Sequence, residues 1–272
     1  MADSVEIWSK SNCLKYLNKP KDSDNKYRRG VLGCITGSRK YPGAALLTTS
    51  AAIATGVGMV RYFGPKSIAK LVIQNRPEVV IKYGKFDALL LGSGISVPNN
   101  QGSKIFIKFR IRKYLNSEVP KVLDAGSLFL SGSTLGPTII TPHAGELARL
   151  LNCNPAEVEN EPIKFATMVA TRYKVTVLLK GKYTIVTDGH RVIQLPAATS
   201  YLATAGTGDV LAGILGALIA INKEAISTKN LLEIGATASL IHASAAELSS
   251  SGPITPTEMI HKIASSINKL QN

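Results

Sequence analysis

Residues 205–213 form the stretch of this chain whose residue types and spacing are best suited to chemistry. Gly206 and Gly208 precede Asp209, and an apolar run of helical length, Val210–Ile221, follows at once. A helix therefore begins at the glycines, and the free backbone N–H groups at its N-terminus can hold an anion such as phosphate. Asp209 is placed to accept a proton from a hydroxyl group that attacks the phosphate. Glycine turns and capping aspartates also occur for packing alone, so this run by itself leaves both interpretations open.

The chain has 272 residues, of which 45% are hydrophobic, so it is long and apolar enough to bury a large core. Its 32 Lys and Arg against 18 Asp and Glu give a net charge of +14, which favours anionic partners. The basic residues are scattered and only 6% of residues are aromatic, so nucleic-acid binding is not expected as the main role. A polyanion binder that uses this charge alone is kept as a rival hypothesis.

The cysteines and the N-terminal composition indicate the compartment. Cys13, Cys34 and Cys153 are far apart and odd in number, which predicts neither a metal site nor a disulfide framework. The first 29 residues are polar and charged. The longest apolar stretch is about a dozen residues, too short to cross a bilayer. We expect a cytoplasmic protein with no membrane partner.

Apolar runs of strand length alternate with segments of helical length. This alternation predicts an α/β fold with a mostly parallel central sheet covered by helices on both faces. The expected strands are Val31–Thr36, Met59–Phe63, Leu71–Ile73, Asp87–Leu91, Val122–Asp124, Thr138–Thr141 and Lys174–Leu179, with a hairpin of Tyr183–Thr187 and Arg191–Gln194. The expected helices are 44–58, 155–173, 210–221, 231–248 and 255–270. One catalytic domain over residues 1–272 is expected, with 1–28 as a leading segment.

In such a sheet the ligand crevice lies at the carboxyl ends of the strands, so polar groups that follow strands should converge there. These groups are Gly37-Ser38, Gly92-Ser93-Gly94, Asp124, Thr141-Pro142-His143, Lys180-Gly181 and the loop before Asp209. Thr141 is expected to cap the next helix, which would turn His143 toward the crevice. Lys180 is suited to a phosphate. Equally, His143 and Lys180 would serve as an ordinary cap and an exposed strand end.

No dense cluster of carboxylates is present, so no metal site built from protein residues alone is predicted. Asp124 and Glu146 could hold Mg²⁺ through water, and the ion would arrive with the phosphates of a nucleotide. Residues 37–40 lack the ending of a P-loop, and no dinucleotide fingerprint opens a βαβ unit. Phosphate binding is therefore assigned to the loop of Gly206 and Gly208.

Seven motifs, in order along nearly the whole chain, resemble the ADP-dependent NAD(P)H-hydrate dehydratases of the ribokinase-like superfamily. They are Arg29-Gly30; Gly37-Ser38 with Tyr41-Pro42-Gly43-Ala44; Leu91-Gly92-Ser93-Gly94; Val122-Leu123-Asp124-Ala125; Thr141-Pro142-His143 with Gly145-Glu146; Leu179-Lys180-Gly181 with Thr184; and Ala203–Gly213. The resemblance implies a ribokinase-like three-layer α/β/α sandwich. The sequence departs from the family pattern at Ser93, where proline is usual, and at Ser96 and Ala205, where glycine is usual.

The resemblance implies repair of NADH and NADPH that have been damaged by hydration. In the family, ADP, or ATP in some members, phosphorylates the hydroxyl group that water has added to the nicotinamide ring, and loss of phosphate restores the dihydronicotinamide. From the (6S) hydrate and ADP the expected products are NAD(P)H, AMP and phosphate, with Mg²⁺ as cofactor. A homo-oligomer, often a tetramer, is also implied. So is a separate epimerase, because no N-terminal epimerase domain is expected here.

By the same resemblance, Asp209 is the catalytic base. The hydrated dinucleotide would contact Ala44, Gly94, His143 and Asp209, and the adenine nucleotide would contact Lys180, Gly181, Lys182, Tyr183, Thr184 and Gly208. The backbone of Ala205, Gly206, Thr207 and Gly208 would form the anion hole for the transferring phosphoryl group. The nearest alternative is a ribokinase-like kinase of a small molecule such as a vitamin precursor, which would share the glycine loop and the Asp209 base.

Overall fold

The computed structural model describes residues 5–96 and 111–272, apart from the side chains of residues 228 and 229. The nine strands of the described residues form one sheet in the order β1-β9-β8-β7-β6-β5-β4-β2-β3. They are β1 Val5–Ile7, β2 Val31–Ile35, β3 Met59–Tyr62, β4 Ala88–Leu91, β5 Lys121–Leu123, β6 Thr138–Ile140, β7 Thr176–Leu179, β8 Ile185–Thr187 and β9 Val192–Gln194. Neighbouring strands are parallel except β8, which is antiparallel to β7 and β9.

The α-helices with both ends inside the described ranges are α1 Lys10–Cys13, α2 Gly43–Ala54, α3 Lys66–Asn75, α4 Ala144–Leu151, α5 Pro155–Asn160, α6 Pro162–Tyr173, α7 Thr207–Ile221, α8 Thr228–Ser249 and α9 Pro256–Gln271. Residues 111–115 are also helical. Helix α7 is apolar around its whole circumference, and residues 210–220 are all buried. No helix in the described ranges has both the length and the hydropathy that a membrane span requires.

The two faces of the sheet pack against separate helical layers. Adjacent residues of a strand point to opposite faces, and the two cores follow this alternation. Leu90 and Leu178 lie in the core formed with α2, α7, α8 and α9. Leu91 and Leu179 lie in the core formed with α4, α5 and α6. The expected three-layer α/β/α sandwich with a mostly parallel sheet is therefore confirmed.

The expected strand at Leu71–Ile73 is wrong, because these residues lie inside α3. The buried residues of α3 are Ile68, Ala69 and Val72, a helical spacing that places one face on the core. The three consecutive apolar residues resemble a buried strand only when they are considered apart from the polar residues on either side of them in the same helix, Lys70 and Gln74. The expected hairpin before Gln194 is confirmed as β8 and β9.

The leading segment carries an edge strand that its polar composition does not reveal. β1 pairs with β9, and the buried Trp8 donates its Nε1–H to Thr237 Oγ1 at 3.2 Å. Tyr16 donates a hydrogen bond to Glu233, whose other carboxylate oxygen accepts from Arg191 at 3.0 Å. These contacts hold the segment against α8 and the hairpin.

Helix α7 can approach α2 closely because Gly213 has no side chain. A Cβ atom at this position would lie 2.5 Å from the carbonyl oxygen of Thr48 and 2.8 Å from Cβ of Ala51. Both neighbours belong to α2, and the nearer is a backbone atom that cannot move away alone. The close contact between α2 and α7 therefore depends on the lack of a side chain at Gly213.

We expect Gly213→Ala to lower the free energy of unfolding by about 1–3 kcal/mol, because the new methyl group forces α2 and α7 apart. The matched control is Gly43→Ala in the first turn of α2, where a new Cβ meets nothing within 4 Å. That exposed change should leave the free energy of unfolding unchanged or raise it by a few tenths of a kcal/mol. Denaturant titration of both variants measures the difference in the free energy of unfolding, and equal midpoints would contradict the proposed role of Gly213 in the contact between α2 and α7.

Candidate active site

The N-terminus of α7 presents free backbone donors to the crevice. Gly206 precedes the helix with a φ of +95°, and a Cβ there would lie 2.7 Å from Leu47. Thr207 Oγ1 donates to the carbonyl oxygens of Leu202 and Thr204 and so fixes the loop. From Ala205 into the first turn of α7, four backbone amides donate to no acceptor in the part of the chain that the structure describes. They are the amides of Ala205, Gly206, Gly208 and Asp209. Four such amides, together with the positive end of the helix dipole, suit a phosphate group.

A buried carboxylate joins the ends of four neighbouring strands, β4 to β7. Asp124 follows β5, is 3% exposed and accepts three side-chain hydrogen bonds. Ser93 Oγ donates to Oδ2 at 2.8 Å, and Thr141 Oγ1 and Lys180 Nζ donate to Oδ1 at 2.7 and 3.2 Å. The serine that stands where the family usually has proline thus supplies one of these donors. The structure therefore brings Asp124, Thr141 and Lys180 together, as the strand-end rule predicts.

The expected role of Thr141 as a helix cap is wrong. Its hydroxyl is bonded to Asp124, and α4 begins at Ala144 with His143 as the capping residue. The Nδ1 atom of His143 accepts the amide hydrogen of Gly145 at 3.1 Å, and Glu146 bonds back to the His143 amide at 2.9 Å. His143 remains an exposed side chain at the strand end, with its Nε2 atom 3.6 Å from Glu146.

Lys180 lies at the centre of the charged groups. Its Nζ atom is 3.2 Å from Asp124 and 3.7 Å from Glu146. A Cβ atom at Gly208 would lie 3.5 Å from the same nitrogen, so this glycine leaves space between the ammonium group and the helix. Burial disfavours the ammonium form, but the carboxylates of Asp124, Glu146 and Asp209 outweigh it and raise the pKa of Lys180. The lysine is therefore a cation inside the crevice.

Asp209 stands in the first turn of α7. Burial and the nearby carboxylate of Asp124 raise its pKa from the ordinary 3.8 to about 7, against the opposing effect of Lys180. A carboxyl group with such a pKa releases and accepts a proton near neutral pH, as a general base requires. The structure places Asp209 at the expected position, in the turn of α7 that carries the free amides.

Three carboxylates share one ammonium group in this crevice, which leaves a net charge of −2 when all are ionised. Such a surplus fits a divalent cation. The described residues contain no group of three or more His, Cys, Asp and Glu side chains that could hold a metal alone. This set would fit Mg²⁺ carried by nucleotide phosphates, and Asp124 and Glu146 are the residues that would hold the ion through its water shell.

Two predicted substrate residues meet at the other side of the crevice. Gly94 has a φ of +68°, and a Cβ there would lie 2.4 Å from Cβ of Ala44. Ser38 Oγ donates to the Gly94 carbonyl at 2.7 Å, and the Gly37 amide donates to the Ser93 carbonyl at 2.7 Å. The first loop and the turn after β4 are therefore bonded together beside the start of α2.

The predicted nucleotide residues after Lys180 extend the site toward solvent. Lys182 and Tyr183 have exposed side chains, with the lysine Nζ 5.4 Å from the centre of the tyrosine ring. A Cβ atom at Gly181 would meet only the carbonyl oxygen of Tyr183, at an ordinary contact distance of 3.8 Å. The carbonyl of Lys182 accepts from Ala198 at 3.1 Å, and that of Thr184 accepts from Leu195 at 2.9 Å. These bonds anchor the loop to the segment that leads to α7.

A cavity of about 1230 Å³ lies at the far end of the molecule, against Ile221 at the C-terminus of α7. A helix of this length separates it by about 20 Å from Gly208. Two of its basic side chains are already used on backbone oxygens: Arg29 donates to Gly56 at 2.6 Å and Lys223 to Tyr27 at 2.7 Å. We therefore assign the chemistry to the strand ends and not to this cavity.

Comparisons with known proteins show which family the sequence matches. A family described as NAD(P)H-hydrate dehydratase matches residues 32–269. A bifunctional NAD(P)H-hydrate repair enzyme of Mycobacterium leprae is 35% identical over 251 residues, which are 88% of this chain and 50% of that protein. The chain spans about half the length, or less, of such bifunctional relatives. An ADP-dependent (S)-NAD(P)H-hydrate dehydratase of Nitrosopumilus maritimus is 25% identical over 79% of this chain and 81% of that one.

One solved structure shows the same fold over nearly the whole chain. It is an ADP/ATP-dependent NAD(P)H-hydrate dehydratase from Bacillus subtilis, co-crystallized with ATP and Mg²⁺. The TM-score is 0.85 at 22% identity, with 99% of this chain and 100% of that chain covered.

The raised pKa of Asp209 predicts how stability depends on pH. Between about pH 4 and 7 the folded state keeps a proton that the unfolded chain has lost, so the free energy of unfolding falls as pH rises through this window. We expect Asp209→Asn to remove this part of the slope and to be more stable than the wild type at pH 8 by on the order of 1–4 kcal/mol.

Denaturant titrations of the ligand-free protein at several pH values measure this difference. The control is Asp188→Asn, because Asp188 accepts the amides of His190 and Arg191 in the hairpin turn outside the crevice. The difference in the free energy of unfolding between Asp188→Asn and the wild type should not show the change between about pH 4 and 7 that is expected for Asp209→Asn. Parallel stability curves for Asp209→Asn and the wild type would refute the near-neutral pKa.

Proposed function

This chain belongs to the NAD(P)H-hydrate dehydratase family, and from that premise we propose that it dehydrates (6S)-NAD(P)H hydrate with ADP as the phosphoryl donor. The products are NAD(P)H, AMP and phosphate. The observation that carries the proposal is the position of Asp209. Asp209 lies in the first turn of α7, which carries the free amides, and its carboxyl group is within the electrostatic reach of Lys180.

The first chemical step is transfer of a phosphoryl group to the hydroxyl of the hydrated ring. Asp209 accepts the hydroxyl proton as the oxygen attacks the β-phosphorus of ADP, and AMP leaves. The amides of Gly206 and Gly208 stabilise the charge on the transferring group, with the backbone of Ala205 and Thr207 completing the anion hole. Mg²⁺, when bound, neutralises charge that develops on the phosphate oxygens.

The second step removes the phosphate that the first step installed. The C–O bond to the ring breaks and its electron pair leaves with the phosphate, while the electron pair of the ring nitrogen stabilises the ring cation that results. The departing phosphate then takes a proton from the adjacent carbon, and the electron pair of that C–H bond restores the double bond. Phosphate is a better leaving group than hydroxide, so the elimination proceeds near neutral pH. The roles of the chain in this step are to hold the ring and to exclude water.

The two substrates are assigned to opposite sides of Asp209. The dinucleotide hydrate contacts Ala44, Gly94, His143 and Asp209, and the close approach of Gly94 to Ala44 supports a shared surface for the ring. The adenine nucleotide contacts Lys180, Gly181, Lys182, Tyr183, Thr184 and Gly208. The partly buried ammonium of Lys180 and the exposed Lys182 and Tyr183 support this side, since a nucleotide offers both charge and a ring face.

Further parts of the proposal rest on the family resemblance. They are a homotetrameric assembly, Mg²⁺ as the metal, a separate epimerase that converts the other epimer of the hydrate, and the absence of a role in nucleic-acid or membrane binding. The free thiols of Cys13, Cys34 and Cys153 support a reducing compartment such as the cytoplasm.

The decisive assay incubates the protein with hydrated NADH, Mg²⁺ and ADP. We expect the absorbance of reduced nicotinamide to return while AMP and inorganic phosphate appear in equal amounts. A phosphorylated product that accumulates without the absorbance would instead indicate a small-molecule kinase. Salt-sensitive binding to duplex nucleic acid with no turnover would favour the polyanion binder.

Replacement of the base tests the role of Asp209. We expect Asp209→Asn to lower kcat by about 10²–10⁴-fold, because the amide cannot accept the hydroxyl proton. The control Asp188→Asn, in the hairpin turn, should retain kcat after correction for folded protein. A kcat of Asp209→Asn within threefold, roughly, of the wild type would exclude it as the base.

A further inference from the structure

His242 contacts the N-terminus of α7 from the neighbouring helix. It lies in α8, is 8% exposed, and its Nε2 atom is 2.9 Å from the carbonyl oxygen of Thr207. The other three histidines of the chain, His143, His190 and His261, have exposed side chains. The one buried histidine therefore touches the backbone of the loop to which phosphoryl transfer is assigned.

The chemistry of the acceptor fixes the state of the imidazole ring. A carbonyl oxygen can only accept, so Nε2 of His242 carries a hydrogen and donates it to Thr207. Burial lowers the pKa of His242 to about 4, despite the hydrogen bond to Thr207, and the charge of Lys180 lowers it further. The ring is thus a neutral donor near pH 7.

The bond acts on a peptide group that reaches into the crevice. The carbonyl of Thr207 and the N–H of Gly208 belong to the same peptide unit, and no peptide bond of the described chain is cis. They therefore point in opposite directions, the carbonyl toward His242 and the amide toward the crevice. A hydrogen bond to the carbonyl fixes the plane and polarises the amide, which strengthens it as a donor.

We infer that His242 is a positioning residue of the phosphoryl transfer, which holds and polarises the Thr207–Gly208 peptide so that the Gly208 amide stabilises the transferring group. This inference rests on the proposed function and deepens it. His242 touches neither substrate and acts through the peptide.

The contact exceeds what packing of α8 against α7 requires. Most of α8 around it packs through small or aliphatic buried side chains such as Ala238, Ile241 and Ala245. An aliphatic residue would fill the same space without the cost of burying a polar ring. The imidazole instead donates to a peptide whose other end, the Gly208 amide, is one of the free donors at the crevice.

Two substitutions separate the donor from the volume of the ring. His242→Leu keeps a buried side chain but removes the donor, and we expect kcat per folded molecule to fall about tenfold or more. His242→Gln places an amide N–H within similar reach and should recover kcat to within about threefold of the wild type. Both variants should leave KM for the hydrate unchanged, because the hydrogen bond of His242 acts on the peptide of Gly208, which is assigned to the adenine nucleotide.

A control from the same helix accounts for stability alone. Thr237 is fully buried in α8 and accepts a hydrogen bond from Trp8 on the leading segment. Thr237→Val should lower the midpoint of unfolding while kcat per folded molecule stays at the wild-type value. A His242→Leu enzyme that matches this control in kcat, or a His242→Gln enzyme no better than His242→Leu, overturns the inference.

A measurement on the unaltered protein covers the case in which His242→Leu does not fold. In ¹⁵N-histidine-labelled wild type, saturation with ADP and Mg²⁺ should shift the Nε2–H signal of the buried ring, because the amide at the other end of the peptide gains an acceptor. An unmoved signal at saturation overturns the inference.

Failure of the proposed function gives a different pattern from failure of the inference. A wild type that does not turn over the hydrate refutes the function. In that case a comparison of the Kd of ADP between His242→Leu and His242→Gln tests only whether His242 strengthens the Gly208 amide as a donor. A wild type that does turn over, with His242→Leu equally active, refutes only the inference.

Discussion

A single ammonium group, that of Lys180, is shared by the carboxylates of Asp124, Glu146 and Asp209. Two of these carboxylates lie within ion-pair distance of it, so the third is only partly compensated. Asp209 is this third group, and its pKa near 7 is the consequence of incomplete compensation in a buried place. The arrangement gives Asp209 the pKa that its proposed role as a base requires, without a carboxylate-binding partner of its own.

The same charge sharing ties the site to the order of the strands. Asp124, Thr141 and Lys180 follow β5, β6 and β7, which are consecutive neighbours in the sheet. A carboxylate that is 3% exposed is costly unless its lone pairs are satisfied, and Ser93, Thr141 and Lys180 satisfy them. A slip in strand register would leave a buried charge unpaired. The active-site chemistry and the fidelity of sheet pairing therefore depend on the same hydrogen bonds.

Local sequence predicted the parts of the site whose causes are local. The start of α7 at the glycines and the place of Asp209 follow from consecutive residues, and the convergence of Asp124 with Lys180 follows from the strand-end rule. The cap at Thr141 was wrong because capping preference is local, whereas its actual partner, Asp124, is 17 residues away. The ties of Trp8 and Tyr16 to α8 span 229 and 217 residues, and polar composition near the N-terminus carries no sign of them. His242 lies in a helix whose sequence mixes small, aliphatic and hydroxyl side chains, and nothing in that pattern identifies Thr207, 35 residues away, as its partner.

The proposed reaction explains why one carboxyl group at the N-terminus of α7 is sufficient. Transfer to any alcohol needs a base, an anion hole and a cation, and these requirements are the same whether the phosphate stays or leaves. What differs is the substrate, because a phosphate on the carbon beside a ring nitrogen is expelled by the electron pair of that nitrogen, whereas a phosphate on an ordinary alcohol is stable. The second step therefore needs no further acid from the protein. In the proposed reaction, Asp124 and Glu146 are therefore left to pair with Lys180 and to hold the water shell of Mg²⁺, and Asp209 is the one carboxyl group assigned to the reacting oxygen.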